Sequence, residues 1–310
     1  MRTSSKYLAV FCFSGLLACL SLSGNAEESS PKQFGPWVWG VSGGTLYQFD
    51  SDFADGPGEF NVTRGVLQGS FGYAWDRKTS VSLSIGAGVS EYEFSQQASI
   101  GGEQPWDQIR DYRVSLPIRF APSEKTSVII IPSVRTYIES GASLSEGRTE
   151  GVLAGMSWKL SDSLTLGPGF GWFSEVGGGS TAFPIVVIDW KITDRISLTT
   201  GSGLAASQGP GLTLNYQLAD KWTLGLTGRF EQTRFALDSD GDDGAQVGED
   251  QSAPLLVTVE YSPWPMTSMS LLVGAEFAGQ LTLEDANGDN VANSEFDTAP
   301  VIGLTFSSRF

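Results

Sequence analysis

Pro300-Val301-Ile302-Gly303-Leu304-Thr305-Phe306-Ser307-Ser308-Arg309-Phe310 alternates along its length. Ile302, Leu304, Phe306 and Phe310 are apolar, whereas Gly303, Thr305, Ser307 and Arg309 are small or polar. A period of two puts these sets on opposite faces of one strand. An aromatic ending fits a closed barrel in a membrane, whose last strand pairs with the first and turns its apolar face to lipid. Ser308 departs from the pattern, standing at an outward position where an apolar residue is usual.

The same alternation recurs upstream. Fourteen segments carry it, approximately 36–49, 60–75, 79–94, 109–121, 126–139, 148–160, 163–174, 182–192, 195–204, 210–218, 221–237, 252–262, 267–284 and 298–310. Every second connection is a tight turn: Asp76-Arg77-Lys78, Pro122-Ser123-Glu124-Lys125, Ser161-Asp162, Thr193-Asp194, Ala219-Asp220 and Pro263-Trp264-Pro265-Met266. The other connections, 50–59, 95–108, 140–147, 175–181, 205–209, 238–251 and 285–297, are mostly longer and Gly-rich or acidic. Membrane barrels have this parity, with short turns on one side and longer loops on the other. The pattern predicts an all-β chain, a transmembrane antiparallel up-and-down β-barrel of about fourteen strands, with twelve as the alternative.

Trp75, Phe120, Trp158, Trp190, Trp222 and Tyr261 each fall within a residue or two of a short turn. They predict one aromatic ring at one membrane interface. The strand faces agree. In 79–94, Val81, Leu83, Ile85, Ala87 and Val89 oppose Ser80, Ser82, Ser84, Gly86 and Gly88. In 109–121, Tyr112, Val114, Leu116, Ile118 and Phe120 oppose Asp111, Arg113, Ser115, Pro117 and Arg119. The second face is too polar for an ordinary core, so water or a polar plug is expected behind it.

Residues 1–26 read as a secretory signal: Arg2 and Lys6, an apolar run from Tyr7 to Leu22, then Gly24-Asn25-Ala26. Residues 27–35 form a short segment ahead of the barrel, which takes 36–310. Both cysteines, Cys12 and Cys19, fall in the signal, so the fold closes without covalent staples. Removing Arg2 and Lys6 from the 19 basic residues leaves 17 against 35 acidic, a net charge of −18. Nonspecific nucleic-acid binding is excluded on that balance. No long apolar run follows the signal, which excludes a helical membrane protein.

The signal, the cysteine-free barrel region, the turn and belt pattern and Phe310 resemble bacterial outer-membrane β-barrels as a class, over residues 36–310. The segment Pro184-Ile185-Val186-Val187-Ile188-Asp189-Trp190-Lys191-Ile192-Thr193-Asp194 is similar to one in a family of uncharacterised outer-membrane barrels. The resemblance implies the outer membrane of a Gram-negative-type bacterium, lipid and lipopolysaccharide as surroundings, and barrel-assembly machinery reading the strand that ends at Phe310. It brings no substrate.

The chain has no histidine. A serine without a base in reach stays a weak nucleophile, and no carboxylate pair stands out by spacing, so no enzyme is expected. The inward charges say more. Arg113, Arg119, Arg135 and Lys159 predict a basic wall on strands four to six. Glu231, Glu260 and Glu276 predict an acidic wall on strands eleven to thirteen, with Arg229 as an exception. Fourteen strands leave a lumen, and inward glycines (Gly167, Gly169, Gly171, Gly201, Gly203, Gly225) are expected to keep it clear. Loop 95–108 is the candidate constriction. Asp238, Asp240 and Asp242, and Asp285, Asn287 and Asp289, space oxygen ligands as calcium loops do, though without the glycine at the sixth position. No other cofactor is expected. The reading is a porin-like channel for passive diffusion of small polar or anionic solutes. One alternative is a non-conducting structural or adhesive barrel whose acidic loops bind calcium or lipopolysaccharide. The other is a channel for hydrophobic compounds, along Ile129, Ile131, Phe183, Ile185, Val187, Leu256 and Leu272.

Overall fold

The computed structural model describes residues 36–310, without 55, 96, 97, 99, 101–104, 201–210 and 239–244. The signal, Gly201, Gly203, Asp240 and Asp242 lie outside the described residues. Fourteen antiparallel strands close into one up-and-down barrel. They are β1 Trp37–Asp52, β2 Glu59–Ala74, β3 Ser80–Phe94, β4 Gln108–Ser115 with Ile118–Ser123, β5 Thr126–Glu139, β6 Arg148–Lys159 and β7 Leu164–Ser174. The second half is β8 Ser180–Lys191, β9 Ile196–Thr200, β10 Gly211–Ala219, β11 Trp222–Arg229 with Glu231–Ala236, β12 Ala245–Trp264, β13 Thr267–Asp285 and β14 Asn290–Phe296 with Ala299–Arg309. Closure runs through β1 and β14, from Gly40 opposite Arg309 to Gln48 opposite Val301.

The outer face carries a lipid band. Leu67, Leu83, Ile85, Val114, Phe170, Val186, Leu226, Leu271 and Leu304 are all exposed. Below them the turn-side ring is present: Trp75, Phe120, Trp158, Trp190 and Trp222 are exposed, and Trp222 packs against Tyr261 with ring centroids 4.6 Å apart. At the other edge Phe49, Tyr112, Trp172 and Phe277 are also exposed. Two girdles flanking an apolar band are what a bilayer requires of a barrel.

The strands are unequal. β6 and β8 have 12 residues and β7 has 11, close to the span of a membrane strand. β12 has 20 and β13 has 19. The sequence pattern starts β12 at 252 and β14 at 298; the structure starts them at 245 and 290. Residues 245–251 of the first of these loops and 290–296 of the second are therefore strand. The upper parts of β11 to β14 and β1 to β5 project past the lipid band. Their edges meet where Ala236 of β11 bridges Ile138 of β5 in parallel.

In this extension the polarity of the faces is reversed. Phe60, Val62, Tyr92, Ile109, Phe235, Leu281, Leu283 and Phe296 face inward and are buried, with Phe53 and Ala299 in the same cluster. Outward positions there are polar: Glu59, Glu91, Glu93, Arg110, Glu249, Glu284 and Glu295. Water lies outside this part of the wall, so the apolar side must turn inward. An extra residue in each of β13, β14 and β1 re-phases these three neighbours together. The shifts appear as bulges against β12, between Gln251 and Ala253, and against β2, between Gln48 and Ser51. Ala278 sits in the β13 bulge at φ 50°, a conformation an L-residue rarely takes.

Candidate functional site

The inward face of the long strands is layered. Beneath the aromatic cluster lies a charged layer, and beneath that a zone of serine, threonine and glycine. On β2 the order inward-facing is Phe60 and Val62, then Arg64, then Gln68 and Ser70. On β4 it is Ile109, then Asp111 and Arg113, then Ser115. On β11 it is Phe235, then Glu231 and Arg229, then Thr227.

Arg64 is the hub. Its guanidinium donates to Glu276 Oε1 at 3.0 Å, Asp250 Oδ2 at 3.0 Å and Gln48 Oε1 at 3.2 Å. Tyr92 donates its hydroxyl to the same Asp250 oxygen at 2.7 Å, tying the charged layer to the aromatic one. Arg113 pairs with Asp111 at 2.7 Å, and Arg229 pairs with Glu231. Arg113 and Arg135 are each 6% exposed, and Glu276 is 1% exposed. A polar void of about 30 Å³ lies among Arg64, Tyr92, Asp111, Arg113, Glu231 and Asp250. It has room for about two water molecules.

The two sequence-predicted walls are thus brought together only in part. Arg113 and Arg135 lie on one side of the void's level, and Glu231 and Glu276 on the other. Arg119 faces inward nearer the turns. Glu260 is half-buried near the turn end, with the Ser262 hydroxyl at 3.5 Å. Lys159 is a correction: it is 50% exposed and pairs with Asp162 at 2.7 Å, because one more residue brings β6 to its turn. Arg229 is the partner of Glu231 rather than an exception. Arg64, Asp250 and Tyr92 were missed. Arg64 was findable, as the single charge on the inward face of β2. Asp250 was hidden in a stretch whose polar alternation does not resemble a membrane strand.

The expectation of a clear lumen is also corrected. Of the predicted inward glycines that are described, Gly171 is a slot for a neighbouring ring, and Gly167, Gly169 and Gly225 lie against backbone or side-chain atoms of the adjacent strands rather than open space. Gly171 is the cross-strand partner of Phe183, Gly151 of Phe173, Gly248 of Phe235 and Gly279 of Phe296. A Cβ on any of these glycines would run into the ring opposite it. The rings lie flat on the wall, the way aromatics cover glycine in sheets. Phe173 and Phe183 then join Ile131, Leu153 and Ile185 in an apolar patch on β5 to β8, with Ile129 beside it. Leu256, Leu272 and Val301 form another on β12 to β14, with Leu46 of β1 beside it.

Part of the candidate constriction, loop 95–108, lies outside the described residues. Ala98, Ile100 and Trp106 are buried in the aromatic cluster, and Trp106 meets Phe235 edge-on at 4.9 Å. Glu139 at the top of β5 accepts the backbone N–H of Asp107 at 3.3 Å and of Asp238 at 3.0 Å, holding two loops by one carboxylate. The β7–β8 loop lies over the seam: Val176 packs with Ile138, Ala236 and Val247. In the β13–β14 turn, Asp285 accepts N–H bonds from Asn287 at 2.8 Å and Asp289 at 3.0 Å. Asp285 therefore caps its own turn. Among the described residues no three Cys, Asp or Glu side chains converge.

The fold and the lumen define a membrane-spanning up-and-down barrel whose inward face carries a buried charged layer beneath an aromatic cluster. No protein-family profile matches the chain, and no curated protein sequence does. Solved structures similar to it include an outer membrane channel from Pseudomonas putida F1, at 11% identity and a TM-score of 0.49, covering 92% of this chain and 100% of that one. A Pseudomonas aeruginosa FadL homologue follows at 13% identity and 0.42, covering 88% of each chain. The outer membrane channel DcaP of Acinetobacter baumannii stands at 10% and 0.38, covering 88% of this chain and 96% of that one.

Proposed function

We propose that this chain is an outer-membrane channel for small polar or anionic solutes, held closed in the conformation described. The charged layer carries the reading. A barrel that served only as structure would gain little from buried ion pairs, since apolar side chains of similar volume fill an interior at least as stably. Ionisable groups inside a membrane protein mark a path for polar solutes by default. The opposed charges would orient a solute crossing the layer. Opening requires displacement of the β7–β8 loop and of Trp106, which rest on the closed end.

Planar-bilayer conductance tests this. The intact protein is expected to show rare steps, and a variant lacking Val176–Gly179 frequent ones. If that variant folds and gives no steps at any salt, the channel reading fails and a non-conducting structural barrel replaces it. If Arg119→Glu with Arg135→Glu leaves ion selectivity unchanged, the charge-biased passage fails even with a pore present.

A second reading, passage of hydrophobic compounds, is favoured by the buried apolar patch of Ile129, Ile131, Leu153, Phe173, Phe183 and Ile185. Ile131→Ser with Ile185→Ser separates the two. It would slow a hydrophobic solute and leave a polar one unaffected.

A further inference from the structure

We propose that the outer face of β4 to β7 binds one acyl chain of a lipid in the loop-side leaflet, laid across a weak place in the barrel wall. Two prolines make the weak place. β4 is interrupted between Ser115 and Ile118, and its ladders to β3 and β5 both stop at Ser115 and resume at Ile118. Across that interval each side keeps one bond: the Ser82 N–H donates to Pro117 at 3.0 Å, and the Leu116 N–H to Pro132 at 3.0 Å. Proline has no N–H to return, so the carbonyls of Ser82 and Leu116 lose their ladder donors. Inside a bilayer no water replaces them.

The outer surface over this place is hollow. A trough of about 430 Å³ is lined by Leu83 and Leu116 on one side, Trp172 on the other, and Pro132, Val134 and Val152 between them. Register explains the shape. Leu116, Pro132, Val152 and Trp172 are successive neighbours in one row across β4 to β7. Two short side chains therefore lie between a leucine and an indole, and the leucine and the indole both stand exposed to the membrane. Glu150, opposite Val134, ends the trough on its loop side. Arg148 pairs with Glu150 from the next outward position of β6.

Position selects the occupant. Leu116 stands midway between Tyr112 and Phe120, which belong to the two girdles, so the surroundings at its height are hydrocarbon. A neighbouring barrel is convex and would rest on the rims without reaching the floor. An acyl chain is thin enough to lie in the trough. At roughly 30 Å³ per methylene group, close to a water molecule's share of liquid, the trough takes a chain of about fourteen carbons. Lying there, the chain touches β3 to β7 at once and spans the interrupted ladders. Its head then falls beside Arg148, whose side chain is 57% exposed. Phospholipids and lipid A both carry such a chain beneath a phosphate. The site does not depend on whether the lumen conducts.

The test is native mass spectrometry of the folded barrel in nonionic detergent, titrated with dimyristoyl phosphatidylglycerol or with lipid A. The first lipid should bind at least about tenfold more tightly than those that follow, which meet only the general lipid face. A tight first phosphatidylglycerol marks a phospholipid as the source, and a tight first lipid A marks lipopolysaccharide; either supports the site. Val134→Trp sets an indole in the trough and should abolish the tight first molecule. Leu226→Trp, the same kind of change on the lipid face of β11, should keep it. Adducts of equal affinity in wild type, or a tight first molecule that persists in Val134→Trp, overturn the site. Pro132→Val returns the missing donor, so it should raise the thermal midpoint and shrink the further rise given by bound lipid. A lipid-dependent rise as large as in wild type would overturn the bracing of the wall.

Discussion

Replacing Arg64 with methionine should be among the most damaging single changes in the lumen. Arg64 bonds Glu276, Asp250 and Gln48 at once, and all lie out of contact with bulk water. Removing one partner from a buried ion pair costs about 3–5 kcal/mol, because a charge is left uncompensated. The two carboxylates do not suffer equally. Asp250 keeps the Tyr92 hydroxyl at 2.7 Å, whereas Glu276 Oε2 has no hydrogen-bond partner even in the intact network. Most of the loss should therefore come from Glu276. Arg64→Met with Glu276→Gln should recover more stability than Arg64→Met with Asp250→Asn, and the triple variant should return to within about 1–2 kcal/mol of wild type. Urea titration of the barrel in lipid vesicles, followed by tryptophan fluorescence, reads the four variants against wild type. A single variant costing under about 1 kcal/mol would mean the network is solvated and that a closed lumen is the wrong description. Equal rescue by either second change would refute the asymmetry.

Gly171→Ala should lose about 1–3 kcal/mol by overpacking against Phe183, and Phe183→Leu in the same chain should return part of it; independence of the two changes in the same titration would contradict the slot. Trp106→Ala should cost about 3–5 kcal/mol, the range for an aromatic lost from a core, and should raise protease cleavage within 95–107; unchanged cleavage would show that the loop is held without its ring. At the β2–β3 turn, the Asp76 carboxylate accepts the N–H groups of Lys78 at 2.6 Å and Thr79 at 2.8 Å. These bonds, the one from Lys78 first, hold its pKa below the usual carboxylate range. A depressed folded pKa stabilises above the unfolded value, and the gain is lost as pH falls through the folded one. The stability difference between wild type and Asp76→Asn should shrink from about pH 5 downward; a constant difference would remove the carboxylate from the turn's account.

What was legible in the sequence follows from which solvent each face meets. In the lipid band, Leu83 and Ile85 must face outward whatever the lumen holds, so period-two alternation and turn parity suffice to count strands and orient them. The extension is different. Outside Glu295 there is water, and Glu249 and Glu284 pair with Arg234 on the outer face, so alternation inverts and the stretches 245–251 and 290–296 look like acidic loops. Residue parity also says which face a side chain takes, but not how far it reaches across. Gly171 reads as a gap because its filler, Phe183, lies on the neighbouring strand, as Phe296 does opposite Gly279. Those pairings become visible only once register is fixed.

The inversion also explains where the charged layer stands. Going up β2, β4 and β11, the inward face changes from small and polar to apolar just as the outward face changes from apolar to polar. At the crossover neither solvent dictates the inward residue: the lipid band has ended outside, and the aromatic cluster has not begun inside. Arg64, Asp111, Arg113, Glu231, Asp250 and Glu276 occupy that height. The re-phasing of β13, β14 and β1 occurs there too, which lets Glu276 and Leu281 both face inward though five residues apart on an alternating strand. The extra residue in β13 thus sets one strand's charge under its own apolar core. Deleting Ala278 leaves Glu276 and Leu281 four residues apart and both inward against β12, and moves the mismatch to the β13–β14 ladder, where Glu276 faces Ala299 and Gly279 faces Phe296 in one unbroken register. The deletion should therefore lose stability by breaking that register and by taking Gly279 from under the Phe296 ring. A deletion variant as stable as wild type would show that the bulge, and with it the alignment of layers, is dispensable.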